Sequence, residues 1–425
     1  MICSWTANFA GIFKANTVIE QIAKNASAVG SAALANRLTA EARFLRAFFY
    51  FDLVKYYGKV PVIDHTVSAQ EASSIGRSSV SDVYALIISD LQFAIANLPA
   101  NFAGPYPSYT ASDVGRATKY AAEALLAKVY MTRSGPNYGI EGPGMGLNEW
   151  NLALPLLQDI INSGVFVFNP NVYTFPLPAT AIFSYSNQSP TTNKEAIFDI
   201  MYLTLQTNPV LGASFPWQLV PQAYFNGFPG GNPSLGGALG TPSVSANLLN
   251  SYSTAPLDAR KNPFLHTTGY NNLGALDLHA FYRKYLDTTK VPANRFDWGI
   301  NFIAIRYTDV LMLKAECILH GAPGTQADVD AIVNQVRARA NQPAITNVTL
   351  AQLFDERRKE FAGEGSRWFD LQRSGNLITT MNAWIAVEDA TLHKINQVTA
   401  NAIIYPVPQS QMDAAPGLYT QNLGY

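Results

Sequence analysis

The sequence has few charged residues, and the two signs almost cancel. Lys, Arg, Asp and Glu make up 14% of the 425 residues, and the formal net charge is −1. Soluble domains usually contain about a quarter of charged residues. Without a basic excess, the chain lacks the electrostatic signature of a protein that binds nucleic acid or an acidic membrane surface. We therefore expect neither as a partner.

Cysteine and histidine are also scarce. The two cysteines, Cys3 and Cys317, do not form a CxxC pair, and the five histidines include no HxxxH or HxH pair. A disulfide framework or a zinc site is therefore not expected. The sequence also lacks a P-loop, a GxGxxG after a strand and a GxSxG elbow, so we expect no metal and no cofactor. Cys317, within a helical run, is expected to be buried.

Long apolar runs are missing as well. No stretch approaches the 18 or so residues that cross a bilayer, and no signal peptide is visible. Aromatic residues are abundant instead, with 21 Tyr and 23 Phe. An excess of aromatic residues over charge suits a surface for neutral, hydroxyl-rich ligands or for another protein. A large apolar core explains the same composition, and composition alone does not separate the two.

Residues 41–61, EARFLRAFFYFDLVKYYGKVP, give the clearest helical pattern. Apolar residues recur there at helical spacing: Phe44, Leu45, Phe48, Phe51 and Leu53. This period predicts a central, largely buried helix. Gly58 is expected to end the helix in a left-handed conformation, and Pro61 prevents its restart.

Further helices are predicted at residues 5–25, 79–98, 115–133 and 152–163, with Ser81 as the N-cap of the second. The alanine-rich stretch 115–133 is typical of closely packed helix hairpins of the tetratricopeptide type. We therefore predict an all-α fold in which tetratricopeptide-like helix pairs form a solenoid-like scaffold.

Between residues 164 and 304 the helical period is lost, and Gly, Pro, Asn and Ser become frequent. So long a loop region in a compact domain is usually either functional or disordered. Embedded aromatic residues argue against disorder: Trp217, Tyr224, Phe225 and Phe228. Aromatic side chains on loops over a rigid scaffold are typical of a binding surface.

The segment 355–370 is where an enzyme would most plausibly have its site. Glu356, Glu360 and Glu364 follow one another at i, i+4 and i+8, and two carboxylates could act as the acid and base of a glycosidase. Basic residues lie beside them: Arg357, Arg358, Lys359 and Arg367. Such neighbours hold carboxylates ionised, whereas a general acid needs a raised pKa. Salt bridges within the scaffold are therefore the preferred interpretation.

Several stretches, in order, resemble motifs of one family. The helix at 41–61 is similar to its signature helix, and IRYTDVLMLKAECIL resembles its RYAEVLLMYAEA helix. DAIVNQVRARANQP resembles NxVRxRAG, and DERRKEFAGEGSRWFDLQRSG resembles ERRxELAFEGxRWFDLxR. The ending YPVPQSQMDAAPGLYTQNLGY is similar to PIPxxEIxxNPxLxQNPGY. The family is SusD/RagB, surface glycan-binding lipoproteins of Bacteroidetes-type bacteria.

The resemblance implies one SusD-like domain over residues 1–425, with an N-terminal helical scaffold at 1–163, a variable loop-rich region at 164–304 and a C-terminal helical part at 305–425. It implies a protein without catalytic residues that binds oligosaccharides or polysaccharides on the extracellular face of the outer membrane. It would deliver them to a SusC-like TonB-dependent transporter. The chain is expected to begin within the family's N-terminal region, without the lipid anchor, and Cys3 lies too close to the motifs to carry that anchor.

Ligand-binding candidates come from two arguments. The resemblance implies Trp5 and Asn8, an aromatic platform and an amide three residues apart. Sugar sites combine aromatic platforms with polar side chains, which adds Trp217, Tyr224 and Phe228 from the loop region. Two alternatives remain open, a glycoside hydrolase on a helical scaffold and a family member that binds peptides.

Overall fold

A computed structural model describes residues 2–171, 173–204, 211–226, 244–292 and 294–425. Phe228 lies outside these residues. The chain divides into two compact units. Unit 1 contains Met1–Ser163, His320–Pro323 and Trp368–Tyr425, and unit 2 contains Gly164–Leu319 and Gly324–Arg367.

Helices dominate the secondary structure, so the all-α prediction is confirmed. The helices of the described residues are α1 (Ile2–Lys24), α2 (Ala32–Tyr57), α3 (Ala69–Ala72), α4 (Val80–Asn97), α5 (Lys119–Ser134), α6 (Trp150–Asn162), α7 (Phe215–Leu219), α8 (Gln222–Asn226), α9 (Ala246–Leu249), α10 (Lys261–Phe264), α11 (Tyr307–Leu319), α12 (Gln326–Arg339), α13 (Leu350–Glu360), α14 (Arg367–Arg373), α15 (Leu377–Glu388) and α16 (Gln409–Ala414). The strands are short: β1 (Ala196–Ile200), β2 (Leu265–His266), β3 (Tyr270–Asn272), β4 (Ala275–Asp277), β5 (Phe281–Tyr282) and β6 (Phe302–Arg306). Within the described residues, no helix is both long and apolar enough to cross a membrane.

Helix α2 contains the predicted central helix but begins earlier, at Ala32, after the N-cap Ser31. Gly58 ends it at φ +66°, and a Cβ at this glycine would lie 2.0 Å from the Glu141 carbonyl oxygen. No other residue fits there without movement of the backbone. The predicted apolar face was wrong in part, because Leu45 is 40% exposed and Phe48 only half-buried. The buried stripe instead passes through residues 40, 44, 47, 51 and 54.

In unit 1, helices close in sequence pack on one another: α1 on α2, α2 on α4, α4 on α5, and α5 on α6. Helix α4 is capped by Ser79, whose hydroxyl accepts from the Asp82 amide at 3.1 Å, and not by Ser81 as predicted. In α5, buried alanines allow the neighbouring helices to approach closely. The predicted helix pairs are therefore present in the N-terminal scaffold.

A buried polar contact fixes the first of these helices. Arg46 of α2 donates to both carboxylate oxygens of Asp90 on α4, at 2.7 and 2.8 Å. The same guanidinium donates to the Asn16 side-chain oxygen on α1 at 2.8 Å. Because all three side chains are buried, their polar groups need partners inside the protein, and these contacts help to set how the three helices pack.

The C-terminal tail completes unit 1. The Asn422 side-chain amide donates to the carbonyl oxygens of Tyr57, at 3.0 Å, and Tyr405, at 2.7 Å. Its oxygen accepts from Arg77 at 2.7 Å. The last residues thus hydrogen-bond directly to the C-terminal end of α2, and the tail motif has a structural role.

Unit 2 combines small sheets with a helical part. Its strands pair antiparallel as β1 with β6, β2 with β5, and β3 with β4. An aromatic core fills the unit and includes Phe225, Phe264, Phe281 and Trp298. Helices α11, α12 and α13 pack on one another beside it. Cys317, on α11, is buried as predicted.

Candidate ligand-binding site

Glu360, the last residue of α13, is the centre of a group of buried charges in unit 2. Its Oε1 accepts hydrogen bonds from Arg339 at 2.8 Å, from Arg306 at 3.0 Å and from the Tyr173 hydroxyl at 2.8 Å. We call Glu360 and the ion pairs around it the charged core. The other pairs are Glu356 with Arg260, at 2.6 Å, Glu364 with Lys284, at 2.7 Å, and Glu195 with Arg306 and Arg339.

Burial alone would raise the pKa of Glu360, but the charges of Arg339, Arg306, Arg260 and Lys284 hold this pKa well below its usual value. A glycosidase acid needs the opposite shift. The predicted salt bridges are therefore present, although their partners differ from those expected. Arg357 pairs with Asp309 at 2.8 Å, and Arg358 donates to Asn247 at 2.6 Å.

Asp199, on β1, is a buried carboxylate of another kind. Its Oδ2 accepts one long hydrogen bond, 3.4 Å, from Asn301, and its Oδ1 has no hydrogen-bond donor in the described part of the chain. Burial raises the pKa of Asp199 to about 7, against a small opposing effect of the Asn301 amide. The charged form is therefore poorly solvated at neutral pH.

Trp5 and Asn8 lie on α1 in unit 1, where their side chains face α2. The Trp5 ring is 3% exposed and packs against Phe9 and Tyr57 with centroid distances of 5.1 and 5.0 Å. Asn8 is 9% exposed and donates to Asp52 at 2.9 Å. In this conformation the indole is not open to solvent, and the two residues are packing and hydrogen-bonding groups. Their role in ligand binding stays a prediction.

Trp217, on the short helix α7, lies in a different setting. Its ring is 8% exposed and meets the Phe296 ring edge-on at 5.6 Å between centroids. The Arg295 guanidinium carbon is 4.7 Å from the Trp217 ring centroid and 4.8 Å from that of Phe296. Phe296 is 40% exposed. We call Trp217, Arg295 and Phe296 the aromatic–arginine cluster.

Two polar groups of this cluster have no partner within the described residues. The half-buried Arg295 guanidinium has no hydrogen-bond acceptor and no carboxylate beside it. The Trp217 Nε1 is buried and has no acceptor. Both groups are therefore available to donate hydrogen bonds to a ligand.

Tyr224, on α8, belongs to a second group of rings. It is half-buried and packs edge-on against His266 and Phe281, with centroid distances of 4.9 and 4.8 Å, and against Tyr270 at 6.3 Å. It thereby joins the aromatic core of unit 2, and its role as a ligand contact stays a prediction. Phe228, outside the described residues, stays one as well.

Sequence reasoning selected Trp217 but missed Arg295 and Phe296, which lie far from it along the chain. The dipeptide follows a Pro–Ala–Asn loop, and an adjacent Arg and Phe in such a loop is the one signal that could have marked them. A single sequence gives no indication that this loop lies over Trp217.

A polar cavity of about 240 Å³ in unit 1 is a weaker candidate. Among its lining residues, Arg77 is already bonded to Asn422, and Glu141 is paired with Lys59 at 3.1 Å. Both charged side chains of the cavity thus already have partners. Among the described residues, no three His, Cys, Asp or Glu side chains lie close enough together to hold a metal ion.

Two protein families and several solved structures are similar to this chain. A family described as "SusD family" matches residues 265–425, and one described as "Starch-binding associating with outer membrane" matches residues 1–131. Solved structures share the fold. Surface glycan-binding protein A from Bacteroides fluxus has a TM-score of 0.79 at 23% identity, covering 99% of this chain and 85% of that one. The same protein from Bacteroides thetaiotaomicron, in complex with laminarihexaose, has a TM-score of 0.77 at 23% identity, with 99% and 85% covered.

At 23% identity, these solved structures show that this chain shares their helical fold. Two curated relatives are described as SusD-like proteins. A SusD-like protein of Bacteroides ovatus is 27% identical over 87% of this chain, and SusD-like protein P2 of Formosa agariphila is 28% identical over 80%. The chain spans 64% and 65% of the length of these two relatives. These matches confirm the resemblance to the SusD/RagB family that the sequence motifs indicated.

Proposed function

We propose that this protein binds oligosaccharides at the cell surface and performs no chemistry on them. The observation that carries the proposal is the aromatic–arginine cluster, where an exposed Phe296 ring and a free Arg295 guanidinium lie side by side. Sugars present apolar C–H faces and many hydroxyl oxygens, so they bind where an aromatic face and hydrogen-bond donors occur together.

The charged core supports the absence of catalysis in this proposal. Its carboxylates accept from arginine or lysine, so Glu360 stays ionised and has no free proton to give a glycosidic oxygen. The complex of a fold relative with laminarihexaose also supports a saccharide ligand.

We further propose that the ligand passes to a SusC-like TonB-dependent transporter, and that the protein works on the extracellular face of the outer membrane, held by an N-terminal lipid anchor. The family resemblance and the description of the match to residues 1–131 support this location. Co-purification in mild detergent with the transporter encoded beside the gene tests the partnership. If the two proteins do not co-purify at any protein concentration, the partnership is wrong.

Isothermal titration with a panel of oligosaccharides tests the binding. The parent and Phe296→Ala are compared with Tyr106→Ala, a matched control that removes a 69% exposed ring in unit 1. We expect the parent and the control to bind alike and Phe296→Ala to bind more weakly. Equal binding by all three proteins would show that Phe296 is not part of the saccharide site.

The same mixtures, analysed by chromatography after incubation, decide between a binding protein and a hydrolase. Unchanged oligosaccharides are expected. New products that disappear in Glu360→Gln would replace the proposal with the glycoside hydrolase alternative. A parallel titration with a peptide library tests the remaining alternative, and tight peptide binding without saccharide binding would favour it.

A further inference from the structure

Arg295 differs from the other arginines of the chain. The sequence contains 16 arginines, and all lie in the described residues. Fifteen have a carboxylate or a hydrogen-bond acceptor beside the guanidinium, as Arg260 and Arg306 do in the charged core. Arg295 has neither within the described residues, and its guanidinium carbon lies against two aromatic rings.

An unpaired guanidinium against aromatic faces is an incomplete arrangement. The ring faces attract the cation, but they exclude water from one side of it and accept none of its hydrogen bonds. Hydroxyl groups of a neutral sugar could accept hydrogen bonds and would leave the charge uncompensated. A planar oxyanion, by contrast, matches the two parallel N–H groups and neutralises the charge in a partly desolvated site.

We propose that the ligand of the aromatic–arginine cluster is an acidic saccharide whose carboxylate or sulfate binds Arg295 while a sugar ring rests on Phe296. The proposal rests on the saccharide binding proposed above and names its chemical class. Residues 211–226 contain no Asp or Glu, and Asp297, two residues after Arg295, is buried and makes no ion pair with Arg295 in the described part of the chain.

Matched saccharide pairs that differ only in charge test the proposal. The first set is laminarihexaose, its C6-oxidised carboxylate form and its 6-sulfated form. The second is hexagalacturonate and its methyl ester. In each pair that binds, titration should show that the charged saccharide binds about tenfold or more tightly than its neutral counterpart. A charge-assisted pair of hydrogen bonds allows a difference of this size. The carboxylated and sulfated arms identify which oxyanion is preferred.

The variant Arg295→Gln should remove this preference without a change in melting temperature, because Arg295 makes no hydrogen bond in the described structure. Lys290→Gln is the matched control, since it removes one positive charge from an exposed side chain five residues away and should keep the preference. Raising NaCl from about 50 to 500 mM should weaken only the charged ligands.

Equal or weaker binding of the charged members, in pairs that bind at all, would overturn the acidic class and leave saccharide binding intact. Retention of the preference in Arg295→Gln would overturn the role of Arg295. If neither set binds and the oligosaccharide panel also fails, saccharide binding itself is wrong, and the acidic class falls with it.

Discussion

The charged core and the aromatic–arginine cluster both place arginine side chains against rings in unit 2, but they differ in what completes the contact. In the charged core, Arg339 lies 4.0 Å from the Phe168 ring centroid and also donates to Glu360 and Glu195. In the aromatic–arginine cluster, Arg295 has the rings and no acceptor.

The difference separates stability from binding. Where buried carboxylates and guanidinium groups pair with one another, removal of one partner leaves a buried charge alone, so the contact belongs to the folded scaffold. Where a guanidinium has no partner, as in Arg295, its removal should change the stability of the fold little but should take one hydrogen-bond donor from the ligand. Substitutions in the two regions should therefore affect different measurements.

The largest effect is expected for Glu360→Gln. The variant leaves Arg306 and Arg339 without their central carboxylate, and loss of one partner of a buried ion pair typically costs about 3–5 kcal/mol. Urea unfolding should show this loss, while oligosaccharide affinity under native conditions should stay at the parent value.

Asp355→Asn is the matched control for Glu360→Gln, because it neutralises a carboxylate on the same helix whose pair with Lys359 is half-exposed. A surface pair contributes about 0–1 kcal/mol. Equal destabilisation by the two changes would show that the charged core contributes no more to stability than a surface ion pair.

The next largest effect is expected for Asp199→Asn, which should stabilise the protein where Glu360→Gln destabilises it. Asp199 has a folded pKa of about 7, above its usual 3.8, so the folded protein holds the extra proton between these values. Stability from this group is present below pH 3.8 and is lost as the pH rises through 7. Asp199→Asn removes that loss and should increase the free energy of unfolding at pH 8 by about 1–3 kcal/mol.

Denaturant midpoints of Asp199→Asn and the parent, measured at pH 8 and pH 4, check the sign. The advantage of the variant should shrink at pH 4, where Asp199 is already protonated in the folded protein. An advantage of the same size at both pH values would point to a packing effect instead of a charge effect.

A smaller effect is expected for Phe296→Ala on binding. Loss of an exposed ring should weaken oligosaccharide affinity by about 1 kcal/mol, or roughly fivefold, with little change in melting temperature. Trp217→Ala should also weaken binding, but this ring is buried, so its melting temperature should fall as well. The contrast between the two variants separates the ligand surface from its support.

The smallest effect is expected in mild acid. The pKa of Glu360 is held below its usual 4.5, so its contribution to stability is present above pH 4.5 and fades as the pH falls below it. Between pH 7 and pH 4 this amounts to about 1 kcal/mol or less. The parent should lose that amount in urea titrations and Glu360→Gln should not, whereas an identical loss in both would assign the acid sensitivity elsewhere.

Helices were the part of the fold that periodicity could predict. The apolar spacing placed α2, α4 and α5 close to their observed positions, because each buries one face. The start of α2 was missed, since residues 32–40 are mostly alanine and small polar residues, which form helices without a periodic pattern of large apolar side chains. Ser79 and Ser81 are equivalent as cap candidates in sequence, and only the backbone decides between them.

The candidate site was less predictable because its contacts join distant residues. Arg260, Arg306 and Arg339 reach Glu360 from three different parts of the chain, and no spacing rule in one sequence connects them. The local basic residues beside Glu360 gave the right kind of interaction with the wrong partners. Arg295 carried no motif at all, and its importance comes only from the acceptors that it lacks.

The hydrogen bond from Asn422 to the Tyr57 carbonyl joins residues that are 365 positions apart. During synthesis, the first helices of unit 1 leave the ribosome long before the segment that completes them. Unit 1 therefore cannot reach its final packing until unit 2, which lies between its segments, has been made. The contact between Asn422 and Tyr57 therefore forms only after nearly the whole chain has been synthesised, and α2 lacks this partner until then.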